Sequence, residues 1–358
     1  MAVHNMTSLK RFHIGKVYIK DNSQMSKGRF REFYQSYFDT SGSNYGIMIP
    51  DAEVLKVVVE ILTQLSIGGF DIKINHRKLL DAIIQVSGIP KDKFKTVCSS
   101  IDKLDKEEWK VVKEELIQKE ISEEQAEKLF SFAQMKDKPS VLLEKLKLNK
   151  ELQENEDAKK TLEEMEILIK YLKIMEIEQY CTFNLSLARG LDYYTGLIYE
   201  TVLTGIDQVV SISGGERFDD LLGMFSNKKI PAVGVSIGIE RIFNILEEQA
   251  KNDSTLRAVS TDVLVVAIGK NLTEERFKIV NELWKNGINA EILYQENPRQ
   301  DKQMDYAINN KIPFIIFVGE NEKKTNKFNI KIMASGNQVE GVEFGKLAEE
   351  IKKLKENK

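Results

Sequence analysis

The sequence predicts an α+β fold followed by a separate, smaller α/β domain. Three observations carry this. Strand-like segments occupy residues 11–46 and return at 182–250, helical periodicity dominates about 78–178 between them, and from 262 apolar runs alternate with amphipathic helices. The implied boundaries are a first domain over 1–250 holding the helical insertion, a linker over 251–260, and an α/β domain over 261–358. A chain of 358 residues has room for two or three domains at roughly 150 residues each.

Each element has its own signal. Phe12, Ile14, Val17 and Ile19 approximate a period of two, and Phe30, Phe33, Tyr34, Tyr37 and Phe38 follow a polar stretch with the turn formers Asn22, Ser23 and Gly28. A hairpin is the economical reading. Pro50-Asp51 opens a helix at 52–66, Gly68-Gly69 ends it, and 70–76 returns as a strand. Within the insertion, Ser122 and Gln125 have the spacing of a capping box, with Ala126, Leu129, Phe130 and Ala133 behind it at helical spacing. Leu162, Met165, Ile169 and Leu172 form another stripe, and the Lys/Glu-rich stretch at 145–160 reads as solvated helix faces. Strand-like runs at 197–203, 209–215 and 232–238 lead into a helix from 239. Residues 251–260 are polar and aperiodic, as a linker is. The apolar run 263–269 suits a strand of a parallel sheet. Thr273 is expected to cap the next helix, with Phe277, Val280 and Trp284 on one face and Gly287 as C-cap.

Composition bounds the chemistry. Apolar residues at 42% and charged residues at 30% fit a core-forming protein, and a net charge of −3 excludes a histone-like polycation. Local basic patches on such a body can still neutralise phosphates. Cys98 and Cys181 are far apart, and His4, His13 and His76 form no i, i+4 pair, which argues against a disulfide framework or a zinc site. No protein-held metal is expected. Neither a signal-peptide core nor a run of 18 apolar residues occurs, so the cytoplasm is the expected location.

Residues 187–200, LARGLDYYTGLIYE, concentrate polar tips between glycines. Arginine binds carboxylate and phosphate bidentately, and paired tyrosines offer hydroxyls and ring walls to a small planar ligand. A plain turn with core tyrosines is the competing reading. The segment RGLDYYTG at 189–196 resembles the signature peptide of histidyl-tRNA synthetases. GRFREFYQSYFD at 28–39 resembles the second half of motif 2 of class II synthetases, and GVSIGIERIF at 234–243 resembles motif 3. The resemblance runs in the family's order over essentially the whole chain and is nearest to eukaryotic cytosolic members. It implies a class II antiparallel catalytic sheet with a helical insertion, then an anticodon-binding α/β domain.

Arg189 would be the catalytic arginine, facing the α-phosphate of ATP and the histidine carboxylate, where a fixed guanidinium stabilises developing charge. Asp21, Arg29 and Arg241 would bind ATP. Gln35 would contact the histidine amino group, Asp39 would accept from the imidazole N–H because a carboxylate is acceptor-only, and Tyr193 and Tyr194 would line the pocket. ATP would arrive with magnesium held largely by its phosphates. Arg299 and Lys302, in the polar segment 295–302, are weaker candidates for tRNA contact, an exposed loop being the alternative. Expected partners are tRNA(His), L-histidine and a second copy of the chain, with no membrane.

The sequence also departs from the family's pattern. The resemblance implies that the family's catalytic domain begins before the position matched by Met1, so motif 1 of the dimer interface is expected to be absent and a sheet edge exposed. The motif 2 arginine position holds Ile19, and the adjacent Lys20 would point to the other face of a strand. Glu216 either replaces a glycine, placing a carboxylate beside the ATP phosphates, or is a one-residue insertion. Impaired adenylation is therefore expected. The alternative readings are a non-catalytic synthetase-like protein that binds tRNA or a protein partner, and a structural component of a larger assembly.

Overall fold

The computed structural model describes residues 1, 6–18, 31–188, 193–205, 211–225, 230–252, 257 and 259–356. The chain divides into two compact units, Met1–Gln249 and Ala250–Lys358.

The first unit is built on a long hairpin, β1 (Ser8–Tyr18) and β2 (Glu32–Gly42), paired antiparallel from Ser8 opposite Gly42 to Tyr18 opposite Glu32. Helix α1 (Ile49–Leu65) follows, with Pro50 in its first turn, where a missing N–H costs nothing. Strand β3 (Phe70–His76) leads into seven helices: α2 (Arg77–Val86), α3 (Phe94–Ile101), α4 (Trp109–Gln118), α5 (Glu123–Ala133), α6 (Pro139–Lys147), α7 (Lys150–Glu154) and α8 (Glu156–Ile174), with the two-residue strand β4 (Lys136–Asp137) before α6. The capping box at α5 forms as the spacing predicts: Gln125 N–H donates to Ser122 Oγ at 3.2 Å and Ser122 N–H to Gln125 Oε1 at 3.0 Å. The polar stretch 145–160 becomes three helices because Asn149 and Asn155 each cap a new start, accepting from Leu152 N–H and Ala158 N–H. Leu162, Met165, Ile169 and Leu172 are all buried on α8.

Strands β5 (Cys181–Asn184), β6 (Leu197–Leu203), β7 (Ser211–Arg217) and β8 (Ala232–Gly238) complete the sheet, and α9 (Ile239–Asn252) closes the unit. The strand order is β1-β2-β8-β7-β6-β3-β5-β4, antiparallel except for β3 beside β5. Helix α1 packs against β8 and α8, and Val54, Leu55, Val58 and Leu62 bury its inner stripe. The opposite face of β2, β8 and β7 carries the site.

In the second unit, β9 (Val263–Ile268), β10 (Ala290–Glu291) and β11 (Phe314–Gly319) are parallel, and β12 (Lys327–Ile332) and β13 (Gln338–Glu343) extend the sheet antiparallel, in the order β10-β9-β11-β12-β13. Helices α10 (Thr273–Lys285) and α13 (Leu347–Glu356) share one apolar cluster with the sheet, α11 (Gln300–Asn309) covers the other face, and α12 (Glu320–Thr325) follows β11. Two expectations for α10 are corrected. Thr273 is its first residue, not its cap; its hydroxyl donates to Glu296 O at 3.2 Å. The buried stripe is Arg276, Ile279, Val280 and Leu283, while Phe277 and Trp284 are about half exposed. An arginine takes the core position because loop carbonyls surround it.

Candidate functional site

Register assembles the site. Residues directly opposite on neighbouring strands share a face, and alternate residues along a strand return to it. Gln35, Tyr37 and Asp39 therefore stand in one row on β2, opposite Gly238, Ser236 and Gly234 of β8. Beyond β8, Gly214 and Glu216 of β7 lie opposite Ser236 and Gly234. The result is a floor of glycines and one serine between polar walls. Side-chain bonds fix those walls: the Tyr37 hydroxyl donates to Gln35 Oε1 at 2.7 Å, and Arg11 Nε, on β1 opposite Asp39, donates to Asp39 Oδ2 at 2.8 Å. Asp39 Oδ1 leans over Gly234, where a Cβ would meet it at 2.0 Å. From the far face the buried Tyr199 hydroxyl donates to Gly234 O at 2.7 Å, crossing above Gly215, whose Cβ would strike that ring.

Tyr193 and Tyr194 meet edge to face, with ring centroids 4.9 Å apart. Burial, and next the charge of Glu216, push the Tyr194 phenol well up. The Glu216 carboxyl is pushed up to about 7, mainly by burial, with the Tyr194 hydroxyl opposing the rise and Asp39 adding to it. Glu216 falls within an unbroken register, Ser213–Arg217 against Ile237–Val233, and stands among the residues expected to hold histidine. Arg241, expected to clamp ATP, lies at the Gly238 end of the floor, where a Cβ would meet its Cδ at 3.5 Å, and donates from Nη1 to the carbonyl of Ser211.

A buried ion network locks the end of the signature segment to β7. Arg217 Nη1 donates to Asp51 Oδ2 at 2.6 Å and Arg217 Nε lies 3.0 Å from Asp219 Oδ1. Thr195 N–H donates to Arg217 O, Asp219 N–H donates to Thr195 Oγ1, each at 2.9 Å, and Arg77 N–H donates to Gly196 O at 2.8 Å. Gly196 has to be bare, since a Cβ would lie 2.6 Å from Arg217 Cδ. Asp51 is fully buried, and desolvation pushes its carboxyl up while Arg217 pulls it down.

Of the residues singled out from sequence, the structure brings together Gln35, Asp39, Tyr193 and Tyr194. Ile19, Lys20, Asp21, Arg29 and Arg189 lie outside the described residues. Arg299 and Lys302 are exposed at the start of α11, where Arg299 pairs with Asp301. The segment before them is tied down by Arg276, fully buried, which donates to the carbonyls of Leu293 at 3.1 Å, Gln295 at 2.8 Å and Glu296 at 3.0 Å. Gln303 bonds both Ala267 N–H and Ala267 O, at 2.9 and 3.0 Å, and reaches Pro298 O. Tyr294 is 96% exposed on that anchored loop. Sequence reasoning did not single out Arg11, Asp51 or Arg276. The alternation of β1 and β2 marks Arg11 as a candidate, but only the register shows which residue it faces. Among the described residues, no group of three His, Cys, Asp or Glu side chains is placed to hold a metal, and no helix is long and apolar enough to cross a membrane.

Comparison with known proteins agrees with this geometry. The family model for histidyl-tRNA synthetase matches residues 2–242, and the model for the anticodon binding domain matches 262–354. The chain is similar to the cytoplasmic histidine–tRNA ligase of Dictyostelium discoideum, 47% identical over 356 residues, covering 99% of this chain and 74% of that protein. The mitochondrial histidine–tRNA ligase of Homo sapiens is 40% identical, covering 100% of this chain and 72% of that protein. A crystal structure of the histidyl-tRNA synthetase from Nostoc sp. PCC 7120 superposes with a TM-score of 0.82 at 32% identity, covering 98% of this chain and 80% of that one. An α+β unit with a glycine-floored polar face and the end of the signature segment beside it, followed in sequence by a match to the anticodon binding domain, place this chain in the histidyl-tRNA synthetase family.

Proposed function

We propose that the glycine-floored face is a histidine pocket and that the chain attaches histidine to tRNA(His) through histidyl-adenylate. One observation carries the reading. Gln35, Tyr37 and Asp39 form a single polar row over Gly238, Ser236 and Gly234, with Tyr193 and Tyr194 nearby, and such a slot suits a small ligand with an imidazole ring. Asp39 would accept from the ring N–H and Gln35 would meet the amino group. Arg189 would face the reacting carboxylate and α-phosphate, while Asp21, Arg29 and Arg241 would hold ATP with its magnesium as substrate. A histidine carboxylate oxygen then attacks the α-phosphorus and pyrophosphate leaves. In the second step the terminal ribose hydroxyl of tRNA attacks the acyl carbon and AMP leaves. Exposed Arg299 and Lys302, beside the anchored loop, would meet the anticodon arm. The cytoplasm and a homodimer are the setting the resemblance suggests.

The rate is expected to be impaired, because Ile19 stands at the motif 2 arginine position and loss of one charge-assisted donor typically costs about 10²- to 10³-fold. Histidine-dependent ATP–pyrophosphate exchange tests this, with the natural chain beside Ile19→Arg. Slow exchange that rises with Ile19→Arg supports both parts of the proposal. A fast natural chain overturns the impairment. No exchange in either, together with tRNA binding, favours the non-catalytic alternative.

A further inference from the structure

The backbone between Asp39 and Glu216 is bare. The two residues face the same side of the sheet from either side of β8, and the residue in register between them is Gly234. Two strand spacings set their Cα atoms about 10 Å apart. Arg11 occupies Asp39 Oδ2, which leaves Oδ1 directed over the glycine. Glu216 is held on its side by the Tyr194 hydroxyl. A planar five-membered ring standing over Gly234 thus has a carboxyl at each edge.

On the reading proposed above, in which this pocket takes histidine, we propose that Glu216 is a second substrate contact: Asp39 accepts from one ring N–H and the Glu216 carboxyl meets the other ring nitrogen, so that the pocket holds the imidazole together with one extra proton. The chemistry follows from the donor inventory. A neutral imidazole has one N–H and one bare nitrogen, and Asp39 can only accept, so it takes the N–H. A carboxylate at the bare nitrogen would set lone pair against lone pair. One proton removes the conflict, either on Glu216, which then donates to the nitrogen, or on the ring, which as imidazolium donates to both carboxylates. The two placements have the same proton count.

The surroundings suit this role. Glu216 is faced by Tyr194 of the signature segment and by Tyr37 and Asp39 on β2, with Tyr193 against Tyr194 and Tyr37, Arg11 on β1 beyond Asp39 and Tyr199 beneath. Tyr37, Tyr194 and Tyr199 are all pushed upward, chiefly by burial, away from neutral pH. The Glu216 carboxyl, at about 7, is the group that changes charge there. Above that pH the pocket must take up a proton to bind the ring.

Isothermal titration of L-histidine into the full chain, at pH 7 to 8.5 in two buffers of different ionisation heat, tests this beside Glu216→Gln. Glutamine cannot titrate, and its amide N–H can serve the bare ring nitrogen. The natural chain is expected to take up about half a proton per histidine at pH 7, rising to close to one at pH 8.5, and to lose affinity with a slope that approaches tenfold per pH unit over the same range. Glu216→Gln should bind with no such uptake and a flat profile, and binding of ring-N-methylated histidines should be weak in both. Equal proton uptake and equal pH profiles in the two proteins would overturn the inference while leaving the histidine pocket intact. Absence of histidine binding in both would overturn the pocket reading and this inference with it.

Discussion

Glu216 should cost the fold stability, and by an amount that depends on pH. In the folded chain its carboxyl titrates at about 7, against 4.5 for the unperturbed group. Below 4.5 the carboxyl is protonated whether the chain is folded or not, and the residue contributes nothing through ionisation. Between 4.5 and 7 the unfolded chain releases the proton while the folded chain keeps it. The folded state therefore binds more protons, and stability falls as pH rises through this window. At about 1.4 kcal/mol per pH unit the loss reaches about 3 kcal/mol and stays constant above 7. Glu216→Gln keeps the shape and an acceptor for Tyr194 but cannot ionise. The stability difference between variant and natural chain should thus be about 3 kcal/mol more favourable to the variant at pH 8 than at pH 4.5. Urea unfolding read by Trp109, which stacks on Phe130 in the first unit at a centroid distance of 4.1 Å, reports on the relevant unit once the other tryptophan is removed by Trp284→Phe. A stability difference that does not change with pH would refute the reasoning, because it would mean that the folded carboxyl titrates as it does in water.

Other perturbations follow from the same contacts. Arg217→Met strands the Asp51 carboxylate in the core and should cost about 3–5 kcal/mol in urea unfolding, most of it recovered when Asp51→Asn is added. Gly234→Ala puts a methyl group 2.0 Å from Asp39 Oδ1, so histidine affinity by calorimetry should fall at least about tenfold, for an overpacking cost of about 1–3 kcal/mol in stability. Arg276→Met removes the donor shared by the carbonyls of Leu293, Gln295 and Glu296; amide exchange over 293–298 should quicken while the centre of α10 stays protected. Unchanged exchange there would mean that the loop is held without the arginine.

The sequence carries the local structure well where a single period or cap decides it. The run of Phe70–His76, the capping box of Ser122 and Gln125, and the α8 stripe from Leu162 to Leu172 are each settled within one element. Gln35 and Asp39 are legible as site candidates only through the resemblance to the family's motif, since polar residues alternating on a strand look like any solvent face. What stayed hidden depends on contacts across the chain. The partner of Arg11 is set by hairpin register, and the neighbours of Glu216 by three strands meeting in one order. Charged side chains rarely lie fully buried, so nothing in the sequence marks Arg276 as a core residue, and only the carbonyls of a loop 17–20 residues ahead explain its place. Trp284 was misread for a related reason: its indole N–H donates to Ala290 O at 2.7 Å, so the ring lies along the surface beside β10 and does not enter the core.

The glycine floor has a mechanical consequence. Across most of a sheet, side chains on adjacent strands grip one another, but Gly214, Gly234 and Gly238 offer nothing to grip. On this face β7 and β8 are joined by their backbone ladders and by one small side chain, the Ser236 hydroxyl, which donates to Gly214 O at 3.2 Å, with Tyr199 fastened to Gly234 from beneath. A ring bound in the slot would be the missing packing layer, touching β2, β8 and β7 at once. Substrate would then act as a keystone, stiffening the sheet that reads it, and the melting temperature of the first unit would climb with ligand concentration as the binding term RT ln(1 + [L]/Kd) requires.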